Sequence, residues 1–188
     1  MKKTVRSLLL ICALISAACM LPGCITYNSL VSLDEGVKES WAQIETQLQR
    51  RMDLIPNYVE TVKGYAAQEK DVLVKVTEAR SKVAGAGTIP EKIDANNQLT
   101  SALSRLMVVV EKYPDLKSNQ NFLRLQDELA GTENRIAVAR KRYNEAVKEF
   151  NTTLRSFPAN MIARAFKFKA ATYFDAPESA KTPPPVKF

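Results

Sequence analysis

Apolar residues recur every three or four positions along most of this chain, the spacing that lines one face of a helix. Leu30, Leu33, Val37, Trp41, Ile44 and Leu48 form the first such stripe. Asn28 or Ser29 is placed to cap it, with Asp34 and Glu35 near its positive end. The stripe predicts a helix ending near Arg50–Asp53. A second helix follows, with Asp53 as its cap, Pro56 in its first turn and a face of Ile55, Val59, Val62, Ala66, Leu73, Val76 and Val83. A single helix kinked at Pro56 is the alternative. It would overhang its neighbours by tens of ångströms, at about 1.5 Å per residue, so the break is preferred. "GAG" (Gly85–Gly87) ends the second helix through residues free to adopt positive φ.

The third helix opens on "TIPE", where Thr88 and Glu91 fit a capping box around Pro90. Its face is Ile93, Leu99, Leu103, Leu106 and Val110. "YPDLKSN" (Tyr113–Asn119) reads as a turn. The fourth helix shows the longest pattern: Phe122, Leu125, Leu129, Thr132, Ile136, Ala139, Tyr143, Ala146 or Val147, Phe150, Leu154 and Phe157. A short amphipathic helix carrying Ile162, Phe166 and Phe168 comes next. From Asp175 onward there are four prolines in fourteen residues and little to bury, the composition of a disordered tail. Four striped helices joined by short turns predict an all-α fold, an antiparallel up-and-down four-helix bundle. Trp41, Tyr143, Phe150 and Phe157 fall at helical spacing and are expected in the core.

The amino terminus is of another kind. Lys2, Lys3 and Arg6 precede an uncharged apolar run, Leu8–Met20, of 13 residues. A membrane span takes about 17–25, so the layout is that of an export signal. "LPGC" then resembles the bacterial lipobox, in which the cysteine receives a diacylglycerol and becomes the first residue of the mature chain. Cys24 fits this pattern better than Cys19, which has "SAA" before it; an uncleaved anchor helix is the competing reading. The expected organisation is a signal peptide over 1–23, a helical domain over 24–174 and a tail over 175–188. Cleavage would discard Cys12 and Cys19 and leave no free thiol. Ile25, where an aspartate commonly signals inner-membrane retention, leans the location towards an outer membrane.

Charge and composition narrow the chemistry. The chain carries 27 basic and 20 acidic residues, and residues 24–188 retain a net charge of +4 without a basic block. Nucleic-acid binding has little support from that distribution. Histidine is absent, which removes His-based triads, His–metal sites and the Glu-x-x-His pairs of di-metal bundles. No cofactor and no metal is expected. Glu128, Glu133 and Asp127, with Glu60 and Glu69 opposite, are the carboxylates that could act as acid and base; a solvated helix face is preferred. Around Arg50, Arg51 and Asp53 the paired guanidiniums could clamp an anion or a partner at the start of the second helix. The preferred reading is that an arginine satisfies the last carbonyls of the first helix and Asp53 caps the second. The segment from Phe157 to Phe174 mixes Phe157, Phe166 and Phe168 with Arg164, Lys167 and Lys169. It is read as a contact for a membrane or partner, or as a cap over the bundle end.

Three stretches resemble the LemA family of bacterial envelope proteins. They are "YNSLVSLDEGVKESWAQIETQLQRRMDLIPNYVETVKGYAAQE" (27–69), "YPDLKSNQNFLRLQDELAGTENRIAVARKRYNEAVKEFNTTLRSFP" (113–158) and "YF" at Tyr173–Phe174. The resemblance implies a helical bundle with an N-terminal membrane attachment. One departure is Lys167: the family's pattern reads "FGFK" where this chain reads "FKFK". No catalytic activity comes with the resemblance. The expected function is therefore a lipid-anchored, non-catalytic envelope scaffold with a protein partner. A carboxylate-dependent envelope-polymer hydrolase and a membrane-surface or signalling accessory are the alternatives.

Overall fold

The computed structural model describes the backbone of residues 2–175 and the side chains of residues 25–175. Cys24 and the tail beyond Asp175 lie outside the described side chains. All regular secondary structure among the described residues is helical, in six elements. These are α1 (Lys2–Lys63), α2 (Lys70–Gly85), α3 (Ile89–Val110), α4 (Pro114–Lys117), α5 (Gln120–Arg155) and α6 (Ala159–Ala165). The chain forms two compact units: the first holds Met1–Ser40 and Glu145–Ala171, the second Trp41–Asn144 and Thr172–Phe188.

The second unit is built around a core to which α1 to α5 all contribute. Tyr58 and Val62 of α1, Leu73 and Val76 of α2, Leu99 and Leu106 of α3, Leu116 of α4 and Phe122 of α5 belong to it. Tyr58 stacks on Phe122 with ring centroids 5.1 Å apart. Trp41 meets Tyr143 edge-on at 5.4 Å. In the first unit Leu30, Val37, Val147, Phe150, Ala159 and Ala163 are buried. Trp41, Tyr143 and Phe150 are thus core residues as the pattern predicts. Phe157 is not: it is 80 % exposed, because α5 ends two residues before it.

The first helix differs most from expectation. Asn28 and Ser29 cap nothing, since α1 begins upstream of both, and Asp34 and Glu35 instead pair with Lys38. Nor does the helix break at Asp53 or Pro56; it continues to Lys63. Proline within a helix has no N–H for the carbonyl four residues back, here that of Met52. Arg80 of α2 supplies the missing donor, its Nε lying 2.8 Å from the Met52 oxygen. The break falls at residues 64–69, where Gly64, Tyr65 and Ala66 close the helix with short-range backbone bonds.

The other connections follow local chemistry. Thr88 and Glu91 form the capping box at the start of α3, as the sequence predicts. Glu91 accepts from the backbone N–H groups of both Thr88 and Gly87, and these bonds hold its carboxyl below the usual carboxylate range. The same bonds explain the stop at "GAG". No glycine among the described residues has positive φ, and α2 ends because Ala86 turns extended and Gly87 is drawn into the next cap. "YPDLKSN" contains a single helical turn, α4. Asn119 then caps α5, its Oδ1 accepting from the N–H groups of Asn121 and Phe122 at 2.9 and 3.0 Å.

Candidate functional site

In the second unit three helices converge on one buried cation. Arg51 is 4 % exposed. Its Nη1 lies 3.2 Å from Asn96 Oδ1 and 3.1 Å from Thr100 Oγ1, both on α3, four residues apart and so on one face. It also lies 2.6 Å from Glu133 Oε2 on α5. Burial pulls the guanidinium's affinity for its proton down, and the Glu133 carboxylate opposes that shift. A cavity of about 270 Å³ adjoins this centre, lined by Arg51, Tyr58, Thr100, Met107, Leu129 and Glu133 among others. The Tyr58 hydroxyl donates to Met107 Sδ at 2.8 Å, and burial pushes the phenol's pKa up.

The Arg50–Arg51–Asp53 trio is not brought together. Consecutive helical positions point about 100° apart, so Arg50 faces outward to Glu128 at 2.9 Å while Arg51 faces the core. Asp53 accepts from Gln49 Nε2 within α1, and no helix begins there. The candidate carboxylates are likewise dispersed. Glu128 and Glu133 each take a different arginine, Asp127 is exposed, Glu60 pairs with Lys63, and Glu69 accepts from the Tyr113 hydroxyl. Among the described residues no three acidic or thiol side chains gather as a metal ligand set.

The first unit presents the aromatic–basic segment. α6 buries Ala159 and Ala163, while Met161 on the same short helix is 64 % exposed. Phe168 packs edge-on against Phe150, and Tyr27 of α1 lies 4.6 Å from Phe166 and 6.0 Å from Phe168, centroid to centroid. Phe166 itself stays 60 % exposed. Arg164, Lys167 and Lys169 are all exposed. Residues 150–174 contain four basic side chains, counting Arg155, and no acidic one.

Lys167 closes α6. Its φ is 58°, in the left-handed region. The Phe168 N–H reaches the Ala163 carbonyl at 2.9 Å and the Lys167 N–H reaches that of Arg164 at 3.3 Å, which together make a Schellman cap. This is the position at which the family pattern has glycine. A side chain in that conformation costs about 1 kcal/mol. Lys167→Gly should therefore stabilise the fold by roughly 0.5–1 kcal/mol, read as a raised urea midpoint; an unchanged or lowered midpoint would contradict the strain.

Several structural residues escaped the sequence reading. Asn96 and Thr100 sit among ordinary polar positions of α3, and only their spacing of four hints at a shared face. Asn151 and Asn144 are two turns apart on α5. In the first unit Asn151 both donates to the Ala171 carbonyl and accepts its N–H, each at 2.9 Å. In the second, Asn144 holds Phe174 in the same way, at 3.0 and 2.8 Å. Arg140 lies over the Phe174 ring, 5.6 Å from its centroid.

These features define an all-helical protein whose long helices are fastened by buried polar groups. The chain belongs to the LemA family, whose model matches residues 40–188. It is 27% identical over 205 residues to magnetosome protein MamQ 2 of Paramagnetospirillum magneticum, covering 95% of this chain and 75% of that protein. MamQ of Magnetospirillum gryphiswaldense is 25% identical over 183 residues, covering 84% of this chain and 67% of its own length. Protein LemA of Metamycoplasma hominis is 25% identical over 154 residues, with 80% and 69% covered respectively. Among the described residues no helix is long and apolar enough to cross a membrane.

Proposed function

We propose that this protein is a lipid-anchored, extracytoplasmic scaffold of the LemA type, holding an envelope protein partner without catalysing a reaction. The observation that carries the reading is the position of the tether relative to the aromatic–basic end. Tyr27, which packs on Phe166 and Phe168, follows the lipobox cysteine Cys24 by three residues, about 4.5 Å of helix. An acylated Cys24 would therefore hold this part of the first unit close to the bilayer, and more than one acyl chain makes such a tether stable. The short connections between α1, α2 and α3, and the core they share with α5 in the second unit, support an antiparallel four-helix arrangement there. Ile25 after the cysteine favours the outer membrane of a two-membrane envelope.

The separation of the carboxylates supports a binding role over hydrolysis. Glu128 is exposed and matched to Arg50, and Glu133 is matched to Arg51, so neither is poised beside the other as acid and base. Metabolic labelling tests the tether: radioactive palmitate should enter the wild-type protein and be lost from Cys24→Ser. Equal labelling of the two, or none in either, would remove Cys24 as the attachment point. In-cell crosslinking tests the scaffold role, and a protein recovered alone at native abundance would count against it.

A further inference from the structure

We propose that the exposed apolar and basic face of the first unit, formed by Phe157, Met161 and Phe166 with Arg164, Lys167 and Lys169, is a seat for an anionic lipid bilayer. This rests on the tether reading and adds to it an orientation: the protein lies with this face against the lipid surface instead of hanging from a flexible stalk.

Three observations point to lipid as the occupant. Large apolar side chains stay in water here although buried positions lie beside them: Phe157 is 80 % exposed, Met161 64 %, Phe166 60 % and Ile25 71 %. Such groups suit the head-group and acyl boundary, where amphipathic surfaces sink about 5–10 Å. The charge also matches. The absence of any acidic residue from 150 to 174 leaves the basic side chains beside these aromatic rings unopposed within that stretch. Each such charge strengthens attraction to an anionic surface about fivefold. Finally, the face has no slack from the tether. Ile25 directly follows Cys24, and Tyr27 joins α1 to Phe166 by ring contact. A partner protein reaching this face would have to displace the bilayer to which Cys24 is fixed.

The Schellman cap gives the seat its shape. Left-handed backbone at Lys167 reverses the chain after α6, so that Phe168 turns in against Phe150 while Phe166 remains outside. Alternation of one ring in and one ring out separates the part that holds the fold from the part left for lipid.

Site-directed spin labelling of the mature lipidated protein tests this. On the tether reading it has no other free thiol, so Met161→Cys labels at one place. The protein is bound to vesicles of phosphatidylethanolamine and phosphatidylglycerol, and to vesicles of phosphatidylcholine alone. Flotation reports the tether, and relative access of oxygen and a nickel chelate reports depth, calibrated with lipids labelled at known carbons. The expected result is flotation on both, with the label about 5–10 Å below the head groups on the anionic vesicles. Arg164→Gln with Lys169→Gln should lift the label towards water without loss of flotation. Protein that floats with its label still open to nickel overturns the seat and leaves the tether standing. Equal depth on phosphatidylcholine overturns the assignment to anionic lipid. A label that becomes immobile yet remains shallow indicates a second copy or another protein and also overturns it. Protein that fails to float overturns both readings.

Discussion

Replacing Glu133 by alanine should lower the unfolding free energy by about 2–3 kcal/mol, more than replacing Arg51 by methionine. The order follows from which charge is stranded. Removing Glu133 leaves a guanidinium only 4 % exposed without its counter-ion, and neither Asn96 nor Thr100 carries a compensating charge. Removing one member of a fully buried pair costs roughly 3–5 kcal/mol; the figure is reduced here because the Glu133 side chain is 46% exposed. Removing Arg51 leaves a carboxylate whose facing oxygen, Oε2, is buried but whose side chain is about half exposed and can turn towards water, and methionine fills most of the vacated volume. Asn96 and Thr100 then lose a donor, at about 1 kcal/mol each if the cost falls at the low end for a stranded acceptor. The double replacement Arg51→Met with Glu133→Leu should recover much of the loss. Urea unfolding of the three variants checks the order. A Glu133→Ala protein as stable as wild type would mean that the ion pair holds nothing together.

Pro56→Ala should stabilise the protein by about 1–2 kcal/mol, the part of the proline's cost that Arg80 does not offset, and it should make Arg80 redundant. An interior proline costs about 3 kcal/mol through its missing N–H and its ring. Part of that cost is already offset, since Arg80 Nε donates to the Met52 carbonyl that Pro56 leaves open. Proline also restricts the unfolded chain, which trims the gain on replacement. Arg80→Ala alone should cost about 1–2 kcal/mol by stranding a half-buried carbonyl. In the Pro56→Ala background the new amide takes that carbonyl, so the same change should cost about 0.5 kcal/mol or less. The difference is a coupling energy of roughly 1 kcal/mol between residues 24 apart in sequence, measurable by a double-mutant cycle. Strict additivity would show that Arg80 acts elsewhere.

What could be read from the sequence was what local chemistry decides. The Thr88–Glu91 cap, the stripe of α3 and that of α5 as far as Leu154 depend on residues within one or two turns of each other, and they stand in the structure as expected, while Phe157 falls outside. The end at Arg50–Asp53 failed for the same reason. Pro56 and Asp53 are stop signals judged by their neighbours alone, and the residue that keeps the helix going belongs to α2. Arg50 and Arg51 suggested a clamp because they are adjacent in the chain. A helix sends such neighbours in different directions, and only the fold shows which one points inward. Lys167 lies between these cases. Its departure from the family's glycine marked the position, and the left-handed backbone gives the mark its physical meaning.

Asn144 and Asn151 carry a consequence for how the molecule ages. Each amide gives and receives a hydrogen bond at one backbone residue, as a single rung of strand pairing would. Deamidation keeps the shape of the side chain but converts the donor to a second acceptor. An aspartate at either place would set a negative oxygen against the carbonyl of Phe174 or Ala171. Slow hydrolysis of two ordinary-looking amides is thus a route by which the carboxy-terminal arm loosens from α5 while the helices themselves remain intact.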